Sequence, residues 1–278
     1  MKNILITGGL GYLGGRMAKY LSDNGYSVRI ATRKTGNNFP DNVPANTSVM
    51  QLDYYSADQC NKAMDGVNTL IHLAGADANT YLKDPESMIH HHGELMESVV
   101  RAAKYSSLGK FIYFSTVHVY GNNLHGTVTE KTKPIPVSPY AKAHLEAENI
   151  LVRRLNNVAV SIIRCSNLFG LPFFANEKCW KLVVNDFCKS AFQNGRLVIN
   201  SSGEDYKDFI AVEDVVRAIH YLLKLNNDKE IEDIYNLGSS RTTSIIDIAK
   251  EIQKVLKDRF NYDCPIIKNK PSKEMNKP

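Results

Sequence analysis

The chain has 278 residues, of which 43% are hydrophobic and 23% are charged, values that are typical of globular proteins. This length suits one large α/β unit or two fused units, and no apolar run approaches the ~20 residues that a membrane helix needs. Of the formal net charge of +5, the stretch 268–278 contributes +3, and we expect that tail to be mobile. Because the remaining charge forms no basic stripe interleaved with aromatic residues, it does not indicate a nucleic-acid-binding protein.

The five cysteines are scattered along the chain, and no two of them form a CxxC pair. This spacing predicts neither a zinc ribbon nor a disulfide framework. The first residues, MKNILITGG, contain only a very short apolar run that ends in glycines, which indicates a buried strand and not a secretion signal. We therefore expect a cytoplasmic protein with no membrane partner.

Short apolar strands alternate with helical stretches over the first two-thirds of the chain. Strands are predicted at NILIT (3–7), SVRIAT (27–32), TLIHLAG (69–75), KFIYFS (110–115) and AVSIIR (159–164). Helices are predicted from the first glycines to a stop at Gly25, around 99–103, over 139–154 and over 244–260. Continuous apolar strands separated by helices are typical of a parallel sheet buried on both faces. The predicted fold is therefore α/β, a doubly wound Rossmann sheet with helices on both faces.

Three glycines, Gly8, Gly11 and Gly14, directly follow the first strand and open the first helix. Gly8 allows a tight turn, Gly11 lets a pyrophosphate approach the backbone, and Gly14 lets the helix pack closely against the strand. The N–H groups and the positive dipole end of the helix favour a phosphate at this point. The motif therefore predicts an NAD(P) site, and a glycine-rich turn without a ligand is the alternative.

The end of the second strand bears on which dinucleotide is bound. NAD sites usually place an acidic residue there, which holds the ribose 2′-hydroxyl. Here the strand ends at Thr32 and is followed by Arg33 and Lys34. Because an arginine can hold a 2′-phosphate through charged hydrogen bonds, we predict NADP(H) in preference to NAD(H). The alternative is that Arg33 and Lys34 form an ordinary solvated turn.

A series of motifs resembles the extended short-chain dehydrogenase/reductase family, which contains nucleotide-sugar epimerases, dehydratases and reductases. The motifs are TGGLGYLG (7–14), HLAG (72–75), FSTVHVYG (114–121), SPYAKAHLEAE (138–148), IRCSNLFG (163–170), DFIAVEDVVRAI (208–219) and YNLGS (235–239). Their order matches the family from residue 2 to about 250. The resemblance implies a nicotinamide-dependent oxidoreductase whose partner is a small nucleotide-sugar substrate. It also suggests a homodimer, because many relatives pair through two helices.

The resemblance extends the cofactor contacts beyond the glycine loop. The predicted set is Gly8, Gly11, Tyr12, Leu13, Gly14, Thr32, Arg33, Asp53, Leu73, Ala74, Gly75, His92, Ser115, Tyr140 and His144. Asp53 matches the family's adenine-binding aspartate, and His92 stands where the family has an asparagine near the nicotinamide. His90, His91 and His92 are consecutive and fan round a helix, so we predict no metal site there.

Reduction of a carbonyl requires a proton at its oxygen, and oxidation of an alcohol requires a base. The resemblance assigns this acid/base role to Tyr140 and the polarisation of the substrate oxygen to Thr116. The family has a lysine four residues after the tyrosine, which binds the nicotinamide ribose and lowers the tyrosine pKa. His144 stands there instead, while Lys142 lies about 200° round the helix. A histidine can hydrogen-bond the ribose, but whether it carries charge near pH 7 depends on its surroundings.

Two further residues are assigned to the substrate side. Asn167 is predicted to contact cofactor or substrate phosphates, and a side chain that caps a loop is the alternative. Lys207 stands where the family often has an arginine, and it can pair with a diphosphate as a point charge. The family's usual C-terminal segment with an arginine and an aspartate has no counterpart, which leaves either a short lid or an incomplete C-terminus.

The pattern changes after Gly170, where 171–192 has helical spacing without a strand directly after it, and we interpret it as an insertion that covers a pocket. The predicted organisation is an NAD(P)-binding domain over 1–170 and a smaller, mainly substrate-binding region over 171–278. Of that region, about 208–240 returns to the Rossmann core.

Three functions fit these residues. The first is an NADPH-dependent reductase of a nucleotide-linked keto-sugar, which Arg33 favours. The second is an NAD-dependent nucleotide-sugar 4-epimerase or dehydratase, in which the cofactor oxidises and then re-reduces the same sugar. The third is an NADP-binding sensor or partner protein without turnover, which His92 and His144 favour. We rank the three functions in this order.

Overall fold

The computed structural model describes residues 2–36, 39–122, 126–225 and 232–269, so the tail that we expect to be mobile lies largely outside the described residues. The chain divides into two units. The first comprises the residues up to Ser166 together with Val215–Leu237, and the second comprises Asn167–Asp214 and the residues from Gly238 onward. The predicted bounds, 170 and 208–240, differ from these by a few residues. The substrate-binding role of the second unit stays a prediction.

Strands and helices alternate as the apolar pattern predicts. The strands are β1 Asn3–Thr7, β2 Ser27–Thr32, β3 Thr47–Gln51, β4 Thr69–His72, β5 Lys110–Thr116, β6 Ala159–Cys165, β7 Asn167–Phe169, β8 Leu197–Ile199, β9 Tyr206–Ala211, β10 Glu232–Leu237, β11 Thr242–Ser244 and β12 Ile266–Lys268. The helices are α1 Tyr12–Asp23, α2 Ala57–Met64, α3 Ala78–Tyr81, α4 Pro85–Lys104, α5 Pro139–Arg154, α6 Val183–Asn194, α7 Val212–Lys224 and α8 Ile245–Phe260.

The first unit is built on a parallel sheet whose described strands run in the order β3-β2-β1-β4-β5-β6-β10. The chain builds outward in one direction from β1 to β3 and in the other from β4 to β6, so the order reverses between β1 and β4. In open α/β sheets, ligands bind beyond the carboxyl ends of the strands at such a reversal. The sheet confirms the predicted doubly wound Rossmann fold and places the glycine loop, which follows β1, at that point.

Two strands differ from the sequence prediction. Strand β4 ends at His72, before the end of the predicted stretch TLIHLAG. The reason is that Leu73 turns out of the sheet and donates its N–H to the Thr7 carbonyl at 3.2 Å. Strand β3 was not predicted, since its residues TSVMQ form neither a continuous apolar run nor a fully buried face. It lies at the edge of the sheet beside β2, where half-exposed residues are tolerated.

Helix α5 carries the motif with Tyr140, and its start is well defined. Ser138 caps the helix by accepting the N–H of Ala141 at 3.2 Å, and Pro139 occupies the first turn, where its missing N–H costs nothing. Ala143, Ala147 and Leu151 are buried and face the core of the first unit. This face places Tyr140 and His144 on the side of the helix that meets the sheet.

The second unit has a core of its own. Its described strands form the sheet β11-β9-β7 and the pair β12-β8. Helices α6 and α8 pack on it through Phe187, Ala191, Ile245 and Ala249. The expectation that no strand directly follows 171–192 is wrong, because β8 begins three residues after α6 and pairs with β12. Among the helices that the structure describes, none is both long and apolar enough to span a bilayer.

Candidate functional site

The glycine loop between β1 and α1 has a geometry that requires glycine. Gly8 has φ +68°, and its N–H donates to the Ala31 carbonyl at 3.1 Å. A Cβ on Gly14 would lie 2.5 Å from the Gly8 carbonyl oxygen, so α1 approaches the loop at a distance that no side chain permits. At the described start of α1, Gly11 provides no side-chain cap and no acidic residue lies in the first turn. These features fit a dinucleotide pyrophosphate, because the positive dipole end of a helix without an acidic residue in its first turn favours an anion.

The loop after β4 lies directly against the glycine loop. Leu73 donates its N–H to the carbonyl and to the hydroxyl of Thr7, at 3.2 and 3.3 Å. A Cβ on Gly8 would lie 3.0 Å from the Ala74 nitrogen, so the two backbones are in close contact. Gly75 follows and lies near the His92 ring. The predicted residues Leu73, Ala74 and Gly75 are therefore brought beside the predicted pyrophosphate site, and their contact with a cofactor stays a prediction.

The end of β2 presents Arg33 to solvent. Thr32 is buried, and its hydroxyl accepts the N–H of Lys34 at 3.3 Å. Within the described part of the chain, the Arg33 guanidinium makes no hydrogen bond or salt bridge, so it is available to an anion. Asp53 is exposed, and its carboxylate accepts the N–H of Tyr55 at 3.0 Å. Its adenine contact stays a prediction, beside this local role in the turn before α2.

Tyr140 and Thr116 come together as the resemblance implies. Thr116 ends β5 and is buried, and its hydroxyl accepts the N–H of His118 at 3.2 Å. Burial, together with the nearby Cys165 and Asp77, raises the pKa of the half-buried Tyr140 to about 12, while the Thr116 side chain opposes the shift. Tyr140 is therefore a protonated phenol at neutral pH.

His144 lies beside Tyr140 but carries no charge at neutral pH. Its ring is buried, and burial lowers its pKa well below the usual value near 6.5. The neighbouring rings of His92, His72 and His118 lower that pKa further. His144 therefore occupies the position of the family's lysine without supplying the positive charge that would lower the Tyr140 pKa. Lys142 is exposed, as the helical spacing predicts.

His92 belongs to a hydrogen-bonded network that the sequence did not reveal. Its Nδ1 lies 2.6 Å from the Tyr81 hydroxyl, and its Nε2 lies 3.2 Å from the Tyr113 hydroxyl. Because tyrosines occupy both ring nitrogens, the expected polar contact between His92 and the cofactor would require one of these bonds to break. Burial lowers the pKa of His92 to about 4.

Tyr81 and Tyr113 are the residues that sequence reasoning missed. Both are fully buried, and both look like ordinary core residues in the sequence. The available signal was weak: Tyr113 interrupts an otherwise apolar run in β5 with a group that needs a hydrogen-bond partner. His90 and His91 are exposed on α4 while His92 is buried, so the three side chains diverge.

Ser115 and Arg164 take part in a buried ion pair. The Arg164 guanidinium contacts both carboxylate oxygens of Glu148, at 3.2 Å from Nε and 2.7 Å from Nη2. The Ser115 hydroxyl donates to the same carboxylate, and the Tyr120 hydroxyl accepts from Arg164 at 2.9 Å. The one hydrogen of the Ser115 hydroxyl is thus used by this ion pair, and the predicted cofactor contact of Ser115 stays a prediction.

Of the three residues predicted to contact the substrate, Thr116 lies in the first unit, and Asn167 and Lys207 lie in the second. Asn167 donates its side-chain N–H to the carbonyl of Asp208 in β9 at 2.9 Å, which favours the structural alternative for this amide. Lys207 is half-buried in β9 opposite Thr243, and within the described residues its ammonium has no salt bridge. The diphosphate contact of Lys207 stays a prediction.

Known structures share this fold. UDP-glucuronic acid 4-epimerase from Bacillus cereus, solved in complex with UDP-glucuronic acid and NAD, superimposes with a TM-score of 0.79. The two chains are 22% identical, and the match covers 97% of this chain and 86% of that one. At this identity the likeness shows the fold.

Sequence relatives extend the comparison. The chain is 23% identical over 275 residues to dTDP-D-glucose 4,6-dehydratase of Dictyostelium discoideum, covering 91% of this chain and 62% of that protein. It is 32% identical over 162 residues to the Bos taurus protein of the same name, covering 58% of this chain and 43% of that protein. The chain thus spans about half the length of these curated relatives. The model of the family described as NAD dependent epimerase/dehydratase matches residues 4–238. With the glycine loop, the Rossmann sheet and Tyr140 in place, the chain belongs to the NAD dependent epimerase/dehydratase family.

Proposed function

We propose that the chain is an oxidoreductase that reduces a keto group on a nucleotide-linked sugar, with NADPH as the reductant. The observation that carries this proposal is the contact of Tyr140 with the buried His144, whose ring centroid lies 4.5 Å from that of Tyr140. His144 is neutral, and burial raises the pKa of Tyr140 to about 12, so Tyr140 keeps its proton at neutral pH. Reduction needs a proton donor at the carbonyl oxygen, which a protonated phenol provides. Oxidation of an alcohol needs the phenolate, of which only about 10⁻⁵ is present at pH 7 for a pKa of 12.

Different residues bind the cofactor, bind the carbonyl oxygen and donate the proton in the proposed reduction. The glycine loop and the start of α1 would hold the pyrophosphate, and Arg33 would pair with the 2′-phosphate. NADPH, when bound there, would provide the hydride that reduces the carbonyl carbon. The Thr116 and Tyr140 hydroxyls bind the carbonyl oxygen, and Tyr140 transfers its proton to that oxygen, which completes the alcohol. Tyr140 then recovers a proton from solvent.

A nucleotide-sugar epimerase or dehydratase is the second candidate. It is favoured by membership of the NAD dependent epimerase/dehydratase family and by relatives that carry those names. Such enzymes must first oxidise the sugar, so Tyr140 would have to act as a base in the first step. A neutral His144 disfavours that step, which is why this function ranks second. A cofactor-binding protein without turnover ranks third, and the cytoplasmic location and the homodimer stay predictions.

The test is a pair of measurements on the purified chain. Fluorescence titration with NADPH and with NADH gives both dissociation constants, and we expect a clear preference for NADPH. Addition of a nucleotide 4-keto-sugar to the NADPH-loaded protein should then consume NADPH and yield one alcohol per cofactor oxidised. NAD that co-purifies tightly, together with turnover of a nucleotide sugar without net cofactor oxidation, would instead establish the epimerase or dehydratase function. Binding of NADPH without turnover of either substrate class would favour the third function.

A further inference from the structure

Four buried side chains from four separate elements form a hydrogen-bonded chain that ends at His144. The Tyr81 hydroxyl of α3 lies 2.6 Å from Nδ1 of His92 in α4, and Nε2 of that ring lies 3.2 Å from the Tyr113 hydroxyl of β5. The Tyr113 hydroxyl lies 2.8 Å from Nδ1 of His144 in α5. Each of the four side chains is less than a tenth exposed, so water does not substitute for these contacts. We call this series the Tyr81–His144 chain.

The direction of the hydrogen bonds along this chain is constrained. Each tyrosine hydroxyl has one hydrogen to donate, and a neutral imidazole has one donor and one acceptor nitrogen. Among the described residues, His92 Nδ1 is the only hydrogen-bond acceptor in contact with the Tyr81 hydroxyl. If Tyr81 donates to Nδ1, then His92 carries its hydrogen on Nε2 and donates to Tyr113. Tyr113 in turn donates to Nδ1 of His144, whose hydrogen must then be on Nε2.

The opposite direction leaves a hydrogen without an acceptor. If His144 donated from Nδ1, Tyr113 would donate to His92 and His92 would donate to Tyr81. The Tyr81 hydroxyl hydrogen would then be buried with no acceptor among the described residues. A buried unsatisfied donor costs ~1–3 kcal/mol, so the first direction dominates.

We propose that Tyr81, His92 and Tyr113 are positioning residues that hold His144 as its Nε2–H tautomer, a neutral N–H donor at the position where the family has a lysine ammonium. The use of this donor rests on the proposed function, in which a dinucleotide is bound beside it. A neutral N–H can donate to a ribose hydroxyl of the dinucleotide without supplying charge. Such a donor would make the hydrogen bond that the resemblance assigns to the lysine, but the neutral ring would not lower the Tyr140 pKa.

Burial favours the neutral form of all four groups in the Tyr81–His144 chain. It raises the pKa values of Tyr81 and Tyr113 and lowers those of His92 and His144, so all four groups stay neutral around pH 7. The other titratable groups that act on this chain are His72 of β4, His118 after β5, and Tyr140 and Glu148 of α5. His72 and Tyr140 are neutral at pH 7, and the Glu148 carboxylate is paired with Arg164. Because the four groups of the Tyr81–His144 chain stay neutral, we expect the tautomer not to change between about pH 6 and pH 8.

The experiment is nitrogen NMR on the ¹⁵N-labelled full chain without added cofactor. Two-bond correlations between ring protons and ring nitrogens distinguish the Nε2–H, Nδ1–H and doubly protonated imidazole forms. The His144 signals are assigned as those missing from the His144→Gln spectrum. We expect the Nε2–H pattern from pH 6 to pH 8. An Nδ1–H pattern, a doubly protonated pattern or an average of the two neutral tautomers in the wild type would overturn the proposal.

Two variants test whether the Tyr81–His144 chain fixes the tautomer of His144. Tyr113→Phe removes the donor to His144 Nδ1, and Tyr81→Phe removes the group that fixes the direction, so each should convert His144 to a mixture of tautomers. Tyr54→Phe is the matched control, because Tyr54 is a buried tyrosine that packs edge-on against His72 and is not part of the Tyr81–His144 chain. That variant should keep the Nε2–H pattern of His144.

The outcomes separate this inference from the proposed function. An unchanged Nε2–H pattern in both Tyr113→Phe and Tyr81→Phe would overturn the positioning role. If circular dichroism shows that a variant does not fold, the wild-type spectrum and the other variant still decide the question. The NMR samples contain no cofactor or substrate, so the tautomer assignment does not depend on catalysis. A protein that fails to oxidise NADPH in the separate turnover assay would refute the proposed function and leave the tautomer assignment unchanged.

Discussion

The ring of Tyr140 stands edge-on to the ring of His144, with the two centroids 4.5 Å apart and an interplanar angle of 68°. One turn of α5 separates the two residues, so they share a face of the helix. A cation at the second position would stabilise the phenolate of the first, but His144 is neutral. Without a cation beside it, Tyr140 keeps its proton at neutral pH and can act as an acid.

Tyr140→Phe should greatly reduce turnover while leaving cofactor binding almost intact. The substitution removes the proton donor and keeps the ring, so we expect kcat to fall ~10²–10⁴-fold. The NADPH dissociation constant should change less than about threefold, because the pyrophosphate and 2′-phosphate contacts lie elsewhere. NADPH oxidation and fluorescence titration measure the two quantities. A kcat for Tyr140→Phe within about tenfold of wild type would refute the assigned acid.

His144→Lys should favour the oxidative direction. An ammonium beside Tyr140 lowers the pKa of the phenol, typically by 1–3 units for a close opposite charge. The rising limb of alcohol oxidation against pH should therefore move to lower pH, and the rate of reduction should be retained. Lys142→Ala is the matched control, because Lys142 is exposed on the other side of α5 and should leave the profile unchanged. A profile in His144→Lys that coincides with wild type would show that residue 144 does not act on Tyr140.

Arg33→Glu should reverse the cofactor preference. The substitution removes a charged hydrogen bond to the 2′-phosphate and introduces repulsion, so NADPH should bind ~10–100-fold more weakly. NADH lacks the phosphate and should bind as before or more tightly, through its ribose 2′-hydroxyl. Fluorescence titration measures both constants, and Lys104→Glu, an exposed charge reversal on α4, is the control. Equal weakening of NADPH and NADH would contradict the role of Arg33.

Gly14→Ala should damage the glycine loop. Its Cβ would lie 2.5 Å from the Gly8 carbonyl oxygen and 2.6 Å from the Gly9 Cα, so backbone has to move. We expect a loss of ~1–3 kcal/mol in the free energy of unfolding, together with weaker dinucleotide binding. Gly93→Ala in α4 is the control, since its Cβ would meet only Ile150 at 3.8 Å, and it should stabilise the chain by up to ~1 kcal/mol. Urea unfolding distinguishes the two.

Stability should fall below pH 6.5 because buried histidines gain protons only on unfolding. Burial lowers the pKa of His72 to about 3 and of His92 to about 4, and it lowers that of His144 as well. Above about pH 6.5 these groups are neutral in both states and have no effect. As the pH falls below that value the unfolded chain binds protons that the folded chain does not, and each histidine costs ~1.4 kcal/mol per pH unit until its folded pKa is reached.

The urea midpoint at pH 7, 6 and 5 measures this dependence. The free energy of unfolding should decrease steeply between pH 6 and pH 5, and His144→Gln should make the decrease shallower by about one proton. A stability that is constant from pH 7 to pH 5 would mean that the histidines are protonated inside the folded chain.

The sequence predicted those parts of the fold in which local pattern and burial agree. Strands such as β1 and β6 are continuous apolar runs buried on both faces, so their bounds follow almost directly from the residues. Strand β3 and the pair β8 and β12 were missed because they are short or half-exposed, and their partners lie far away in the chain. No local pattern encodes such pairing.

The candidate site divides in the same way. The positions of Gly8, Gly14 and Tyr140 could be recognised because each depends on its own motif. The neutrality of His144 could not, since it results from burial and from three histidine rings brought in by other elements. Tyr81 is separated from Tyr113 by a helix and a loop, and only the fold places both beside His92.

Strand β10 completes the first sheet from a distance. The chain leaves that unit after Ser166 and returns with Val215–Leu237, so the partner of β6 is translated roughly 70 residues later. A ribosome adds ~5–20 residues per second, which leaves the β6 edge unpaired for about 4–14 s on the nascent chain. During that interval its N–H and C=O groups are a template for other strands. During synthesis this edge of the sheet is therefore open to pairing with another chain until β10 covers it.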